Sequence, residues 1–154
     1  MPASLRQQIE DRLSELDYGY HHLLLVIVPI STGKKRDFKQ VATQAGLAYV
    51  NLGLELSQRF IELTDRQRSL RVPRLMDEIL NRKATAIFLD NTEILFDINL
   101  QQDPLRLLQN VSRNHTIVAS WCGKVQGDYL VYAEPGHPEY RRYPIKDLHL
   151  INPA

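Results

Sequence analysis

The stretch from His21 to Phe38 constrains this chain more than any other. Leu23, Leu24, Leu25, Val26 and Ile27 run unbroken into Val28-Pro29-Ile30-Ser31-Thr32-Gly33-Lys34-Lys35, and a basic, helix-compatible segment follows. A short apolar run closed by a turn reads as a strand buried on both faces. Strand, glycine-lysine turn and helix start together have the outline of the phosphate-binding loop G-x-x-x-x-G-K-[ST]. Two positions depart from it. Val28 stands at the first glycine, where a β-branched residue adopts positive φ only at a cost. Lys35 stands where a serine or threonine would bind magnesium.

In such a loop, backbone N–H groups wrap phosphates at a helix N-terminus, and the lysine supplies a point charge to the terminal phosphates. Gly33-Lys34 keeps that core, and Ser31 or Thr32 can offer a hydroxyl from a different position. Ser31, Thr32, Gly33, Lys34 and Lys35 are therefore the nucleotide-binding candidates of the loop. The alternative is a solvent-exposed basic helix start.

The rest of the chain alternates strands and helices. Leu5, Ile9, Leu13 and Leu16 give one apolar face to a helix over 3–16, so residues 1–18 form an N-terminal helical segment. Strands are expected at 23–28, 47–52, 84–89 and 116–121. The helix after the loop runs to about Ala45, with Gly46 as C-cap. One helix is expected around 54–63 and another over 72–80, with Pro73 in its first turn and an arginine-rich connector, Thr64 to Arg71, between them. Asp103-Pro104 opens a further helix, as N-cap and first residue, closed by Arg113-Asn114. Residues 123–127 read as a turn region, and 129–151 as C-terminal strands. This order predicts a single α/β domain over 1–154, with a mostly parallel central sheet covered by helices on both faces.

A second element supports the loop. Ala86-Ile87-Phe88-Leu89 ends in Asp90-Asn91, an apolar strand closed by a carboxylate, as in the element that holds nucleotide-bound magnesium. Asp90 is the metal-side candidate, and Glu93 is the nearest base for a water. The alternatives are a strand-end turn aspartate and a solvated helix-start glutamate. Ser120, at the end of the fourth strand, is a candidate sensor of the terminal phosphate. Arg113 is either an arginine finger acting across a subunit interface or a C-terminal helix charge favoured by the dipole.

Composition bounds the remaining classes. The 154 residues carry a formal net charge of +1, which selects neither a nucleic-acid nor a membrane partner. One cysteine, Cys122, forms no intramolecular disulfide and no cysteine-based metal cluster. No apolar stretch is long enough to span a membrane, and a cytoplasmic setting is expected. Arg66, Arg68, Arg71 and Arg74, and the Tyr140-Arg141-Arg142-Tyr143 run, are candidate DNA contacts. For the first group the default is a solvated basic loop, and for the second an arginine-guarded edge strand serves as well.

The order of several longer segments resembles the BrxF family, small P-loop proteins of the type 3 kind of BREX phage-defence system. The segments are Tyr49-Val50-Asn51-Leu52-Gly53-Leu54-Glu55-Leu56-Ser57, Leu70-Arg71-Val72-Pro73, Leu89-Asp90-Asn91-Thr92-Glu93-Ile94-Leu95-Phe96, Asp103-Pro104-Leu105-Arg106-Leu107-Leu108-Gln109, Ser112-Arg113-Asn114, and Tyr132-Ala133-Glu134-Pro135-Gly136-His137-Pro138-Glu139-Tyr140. The resemblance implies a P-loop NTPase-like (AAA-like) domain that binds ATP with Mg2+. It implies work beside a methyltransferase, a phosphatase-like protein, a helicase and a larger ATPase, with a homo-oligomer as one arrangement. It also implies that Asp90-Asn91-x-Glu93 is the family form of the magnesium-and-water element. Val28 and Lys35 depart from the pattern and bear on hydrolysis. Three functions follow as expectations: a weak or assembly-dependent ATPase, a nucleotide-independent adaptor, or a DNA-contacting subunit.

Overall fold

In the computed structural model, which describes residues 4–16, 22–28, 37–81 and 86–152, the chain forms two sheets. In chain order the elements are α1 (Leu5–Leu16), β1 (Leu23–Val28), α2 (Phe38–Gln44), β2 (Ala48–Asn51), α3 (Leu52–Phe60), α4 (Asp65–Asn81) and β3 (Ala86–Asp90). Two 3-10 turns follow, Thr92–Phe96 and Ile98–Leu100, and then α5 (Pro104–Val111), β4 (Thr116–Cys122), β5 (Lys124–Gln126), β6 (Tyr129–Tyr132), β7 (Arg141–Pro144) and β8 (His149–Ile151).

The main sheet has five parallel strands in the order β2-β3-β4-β1-β8. The chain therefore leaves β1 for the far edge at β2, returns through β3 to β4 beside β1, and places β8 on the other edge. With right-handed crossovers, outward and returning connections cover opposite faces. Period-two alternation sorts the side chains the same way. Leu24, Val26, Phe88 and Val118 pack with Leu5, Ile9 and Leu16 of α1 and Phe38 and Ala42 of α2. Leu23, Leu25, Ile27, Ile87, Leu89, Ile117 and Ala119 pack with residues of α3, α4 and α5 on the other face. The expected α/β sheet with helices on both faces is present, and its five strands are all parallel.

Three local expectations need correction. The segments read as a connector and a short helix are one helix, α4, with Pro73 in its interior. An internal proline frees the carbonyl four residues back, and here the Ser69 carbonyl accepts instead from Gln102 Nε2 at 2.7 Å. Residues 123–127, read as a turn, contain β5, which pairs with β6 across Gly127-Asp128. The C-terminal strands also divide: β6 and β7 join β5 in an antiparallel sheet, whereas β8 pairs with β1 in the main one.

The small sheet is fastened to the main one at the end of β4. Gly123 N–H donates to the Val28 carbonyl at 3.1 Å. A Cβ on Gly123 would lie 2.1 Å from the Val131 carbonyl oxygen, so only glycine admits this approach of β4 to β6. Trp121, fully buried, donates from Nε1 to the same carbonyl and packs edge-on against Phe96, Tyr132 and Tyr143. Tyr143 Oη donates to Asp103 Oδ1 at 2.7 Å, tying β7 to the N-cap of α5.

Candidate functional site

Of the site candidates outside the loop, Asp90, Glu93 and Ser120 meet at the carboxyl ends of the central strands. Register sets this. Leu89 lies opposite Ala119, so Asp90 is level with Ser120, and Ser120 is opposite Val26 in β1. Val28, two residues on, leads into the segment that carries Gly33 and Lys34. Asp90 and Ser120 follow Phe88 and Val118 by two residues, so they face the α1–α2 side, on which Asp37 is the N-cap of α2. In open parallel sheets, ligands bind in the crevice at the strand carboxyl ends where connections diverge to opposite faces. β1 and its neighbour β4 form that point here.

Asp90 is held from three directions. Its Oδ2 accepts from Tyr49 Oη at 2.6 Å, and its Oδ1 accepts from Asn91 N–H at 2.8 Å and Ser120 Oγ at 3.2 Å. Ser120 is buried, which separates it from an ordinary surface serine at a strand end. Burial of the Tyr49 phenol, its hydrogen bond to Asp90 and the nearby charges of Asp90 and Asp37 hold its pKa well above the usual tyrosine value.

After Asp90 the chain turns sharply. Asn91 adopts the left-handed conformation, φ 57° and ψ 52°, which asparagine tolerates better than most residues. A Cβ on Gly53 would come within 3.2 Å of Asn91, so the start of α3 leaves just enough room for the turn. Thr92 is buried, and its Oγ1 donates to the Ser120 carbonyl. That bond pins the first 3-10 turn, and with it Glu93, to β4. Partial burial raises the Glu93 carboxyl above its ordinary pKa, a backbone hydrogen bond opposes the rise, and the negative Asp90 adds to it. The Cys122 thiol is pushed up by burial and by Glu93. Tyr132 is pushed up to about 12 by burial, with Glu139, Glu93 and Cys122 adding to it.

The donor set is compatible with a cation that is only partly held by protein. Magnesium is commonly bound through one or two carboxylates together with substrate phosphates. Asp90 presents one oriented carboxylate, with Glu93 close enough to act on it electrostatically. Among the described residues, no three His, Cys, Asp or Glu side chains are grouped to hold a metal by themselves. The arrangement suits an ion that arrives with phosphates, not a protein-only cage.

The other candidates fall elsewhere. Ser31, Thr32, Gly33, Lys34 and Lys35 lie outside the described residues. Arg113 follows α5 and precedes Thr116, the amino end of β4. At ~3.3 Å per residue, Thr116 is already about 13 Å from Ser120. Arg113 is thus at the opposite end of the sheet from Asp90, and within one chain it does not join the cluster. Arg68 is turned inward, donating from Nε and Nη2 to the Phe60 carbonyl at 3.1 and 2.8 Å. Arg66 lines a separate cleft of about 490 Å³ with Asp65, Leu70 and Ile98, and Arg74 lies 3.8 Å from Glu78. Arg141 donates to the Gln102 carbonyl, whereas Arg142 stacks over Tyr129 at 4.2 Å on the outer face of the small sheet.

Tyr49 and Thr92 were not legible as site residues. Tyr49 is one of several apolar or aromatic side chains in β2, and Thr92 follows a turn. Only the pairing of β2 with β3 and of β3 with β4 brings them to Asp90 and Ser120. Comparison with protein-family models, curated proteins and solved structures gave no match.

Proposed function

We propose that this chain is an ATP-binding protein of the P-loop class, taking its nucleotide with magnesium at the carboxyl ends of β1, β3 and β4. The observation that carries the proposal is the row formed by strand register. An apolar strand ends in a carboxylate held by a buried serine on the next strand, directly beside the strand that leads into Gly33-Lys34. In this role Lys34 binds the terminal phosphates, with Ser31, Thr32 and Gly33 around them. Asp90 takes the magnesium, Ser120 contacts Asp90 and the terminal phosphate, and Glu93, its basicity raised by burial, orients the attacking water. When bound, the ion would neutralise phosphate charge. Lys35 places a cation where a hydroxyl ligand belongs, so hydrolysis is slow or requires assembly. Arg113 contributes only from a neighbouring copy. The segments that resemble the BrxF family extend the proposal to a cytoplasmic BREX component, working with the methyltransferase, phosphatase-like, helicase and larger ATPase proteins.

A second role, a nucleotide-independent adaptor with a degenerate loop, is favoured by one departure in the sequence: Lys35 stands where the magnesium-binding hydroxyl belongs. Calorimetry with ATP and Mg2+ separates the two. Saturable heat that disappears in Lys34→Ala supports the ATP-binding role. No saturable heat, or heat unchanged by that substitution, rejects it in favour of the adaptor.

A further inference from the structure

We propose that Tyr49 is a positioning residue for the cation end of this site, its hydroxyl fixing the Asp90 carboxylate in the orientation that meets a phosphate-bound magnesium ion. The role rests on the nucleotide-binding proposal and adds to it a residue on the sheet's edge strand.

Tyr49 lies opposite Phe88 in register, so it stands diagonally from Asp90 on the same face. Its ring stacks on Phe88, with centroids 6.4 Å apart and planes 18° from parallel, and Phe88 in turn stacks on Phe38 of α2 at 5.2 Å. The ring is therefore held by the apolar core, and the hydroxyl projects forward to Oδ2 of Asp90 at 2.6 Å. A hydrogen bond this short to an ionised acceptor belongs to the strong class. An aspartate carboxylate has about four lone-pair sites. Asn91 N–H and Ser120 Oγ act on Oδ1, while Tyr49 is the donor on Oδ2. Without Tyr49, Oδ2 loses that donor and the carboxylate plane is free to turn about the Oδ1 contacts. Donors behind a metal-ligating carboxylate orient it, and their loss typically costs about 10- to 100-fold in metal affinity.

Tyr49→Phe tests this, because it keeps the stacked ring and removes only the hydroxyl. ATP binding is followed by calorimetry across a Mg2+ titration and again in EDTA. The expected result is that half-maximal enhancement of binding needs at least ~10-fold more Mg2+ in the variant, with affinity in EDTA unchanged. A purely structural role would instead weaken both. A variant with the wild-type Mg2+ dependence overturns the role of Tyr49 and leaves the nucleotide site standing. A wild-type protein that binds ATP without regard to Mg2+, or not at all, overturns the cation assignment of Asp90 and this proposal with it.

Discussion

Replacing Thr92 with valine removes one hydroxyl from a position that is 1% exposed. That hydroxyl is the side-chain tether from the first 3-10 turn to β4, donating to the Ser120 carbonyl. The turn begins at the left-handed Asn91 and is a 3-10 helix of five residues, whose hydrogen-bond geometry is poorer than that of an α-helix. Leu95 and Phe96 anchor its far end in the core, but its near end, where Glu93 sits, depends on Thr92. A net hydrogen bond contributes about 1 kcal/mol, and a buried acceptor deprived of its donor costs about 1–3 kcal/mol. The added methyl recovers part of this through burial. The expected loss is about 1–2 kcal/mol, or a Tm lowered by roughly 2–8 °C for a domain of this size. Amide exchange should quicken about 5- to 30-fold at residues 93–96 if opening of the turn carries the loss. Thr92→Ser keeps the hydroxyl and is the control. The reasoning is refuted if valine melts with the wild type, or if serine is the more damaging of the two.

Gly123→Ala drives a methyl group against the Val131 carbonyl oxygen, a backbone atom that cannot swing aside. A loss of about 2–3 kcal/mol is expected, seen as an earlier urea midpoint together with altered fluorescence from Trp121, whose Nε1 uses the same carbonyl. A midpoint within error of wild type would show that β4 and β6 separate easily. Alkaline pH gives an independent check. The Tyr49, Tyr132 and Tyr143 hydroxyls all titrate higher in the folded chain, the first and largest cause being burial in each case. The folded state therefore holds protons that the unfolded chain, titrating near 10, gives up. Their contribution is complete below about pH 10 and is lost as pH rises through the folded values, about 12 for Tyr132. Urea midpoints should fall from about pH 10 upward, and less steeply in Tyr132→Phe; a flat profile to pH 12 contradicts the burial of these phenols.

Much of the fold was legible because burial leaves a mark on composition. A strand covered on both faces must be apolar throughout, and β1 shows that over its whole length. The Asp103-Pro104 start of α5 was equally plain, since capping is a local event: Asp103 Oδ1 accepts from Arg106 N–H as the pattern requires. What failed depended on distant partners. Nothing near Pro73 announces that Gln102 supplies a donor to the Ser69 carbonyl, so the proline read as a helix start. Strand β5 has three residues, too few for alternation to register, and exists because β6 lies beside it. The site divides along the same line. Asp90 stood out as a carboxylate closing an apolar run, but the buried Ser120, the tether at Thr92 and the clamp from Tyr49 each need a pairing between strands 28 to 41 residues apart.

Val28 and Lys35 both depart from the phosphate-loop pattern, and only Val28 lies among the described residues. Val28 is the last residue of β1, paired with Cys122, and its carbonyl accepts from Gly123 N–H. Extended backbone is what a β-branched residue favours, so no glycine is required at this position. Val28→Gly removes a side chain from the strand and adds freedom to the unfolded chain, a loss of about 0.5–1 kcal/mol or more. It also weakens the point where the small sheet is fastened. On the proposed nucleotide role Lys35→Thr acts differently: it removes a positive charge and supplies the hydroxyl that the full loop pattern carries at this position. Phosphate release should therefore rise in Lys35→Thr alone, while Val28→Gly alone lowers the Tm by a few degrees and leaves turnover where it was. The double variant should match Lys35→Thr in turnover and Val28→Gly in stability. A gain in turnover from Val28→Gly alone would mean that the strand ends before Val28 when nucleotide is bound. It would place the limit on catalysis in the path of the loop instead of in the charge at position 35.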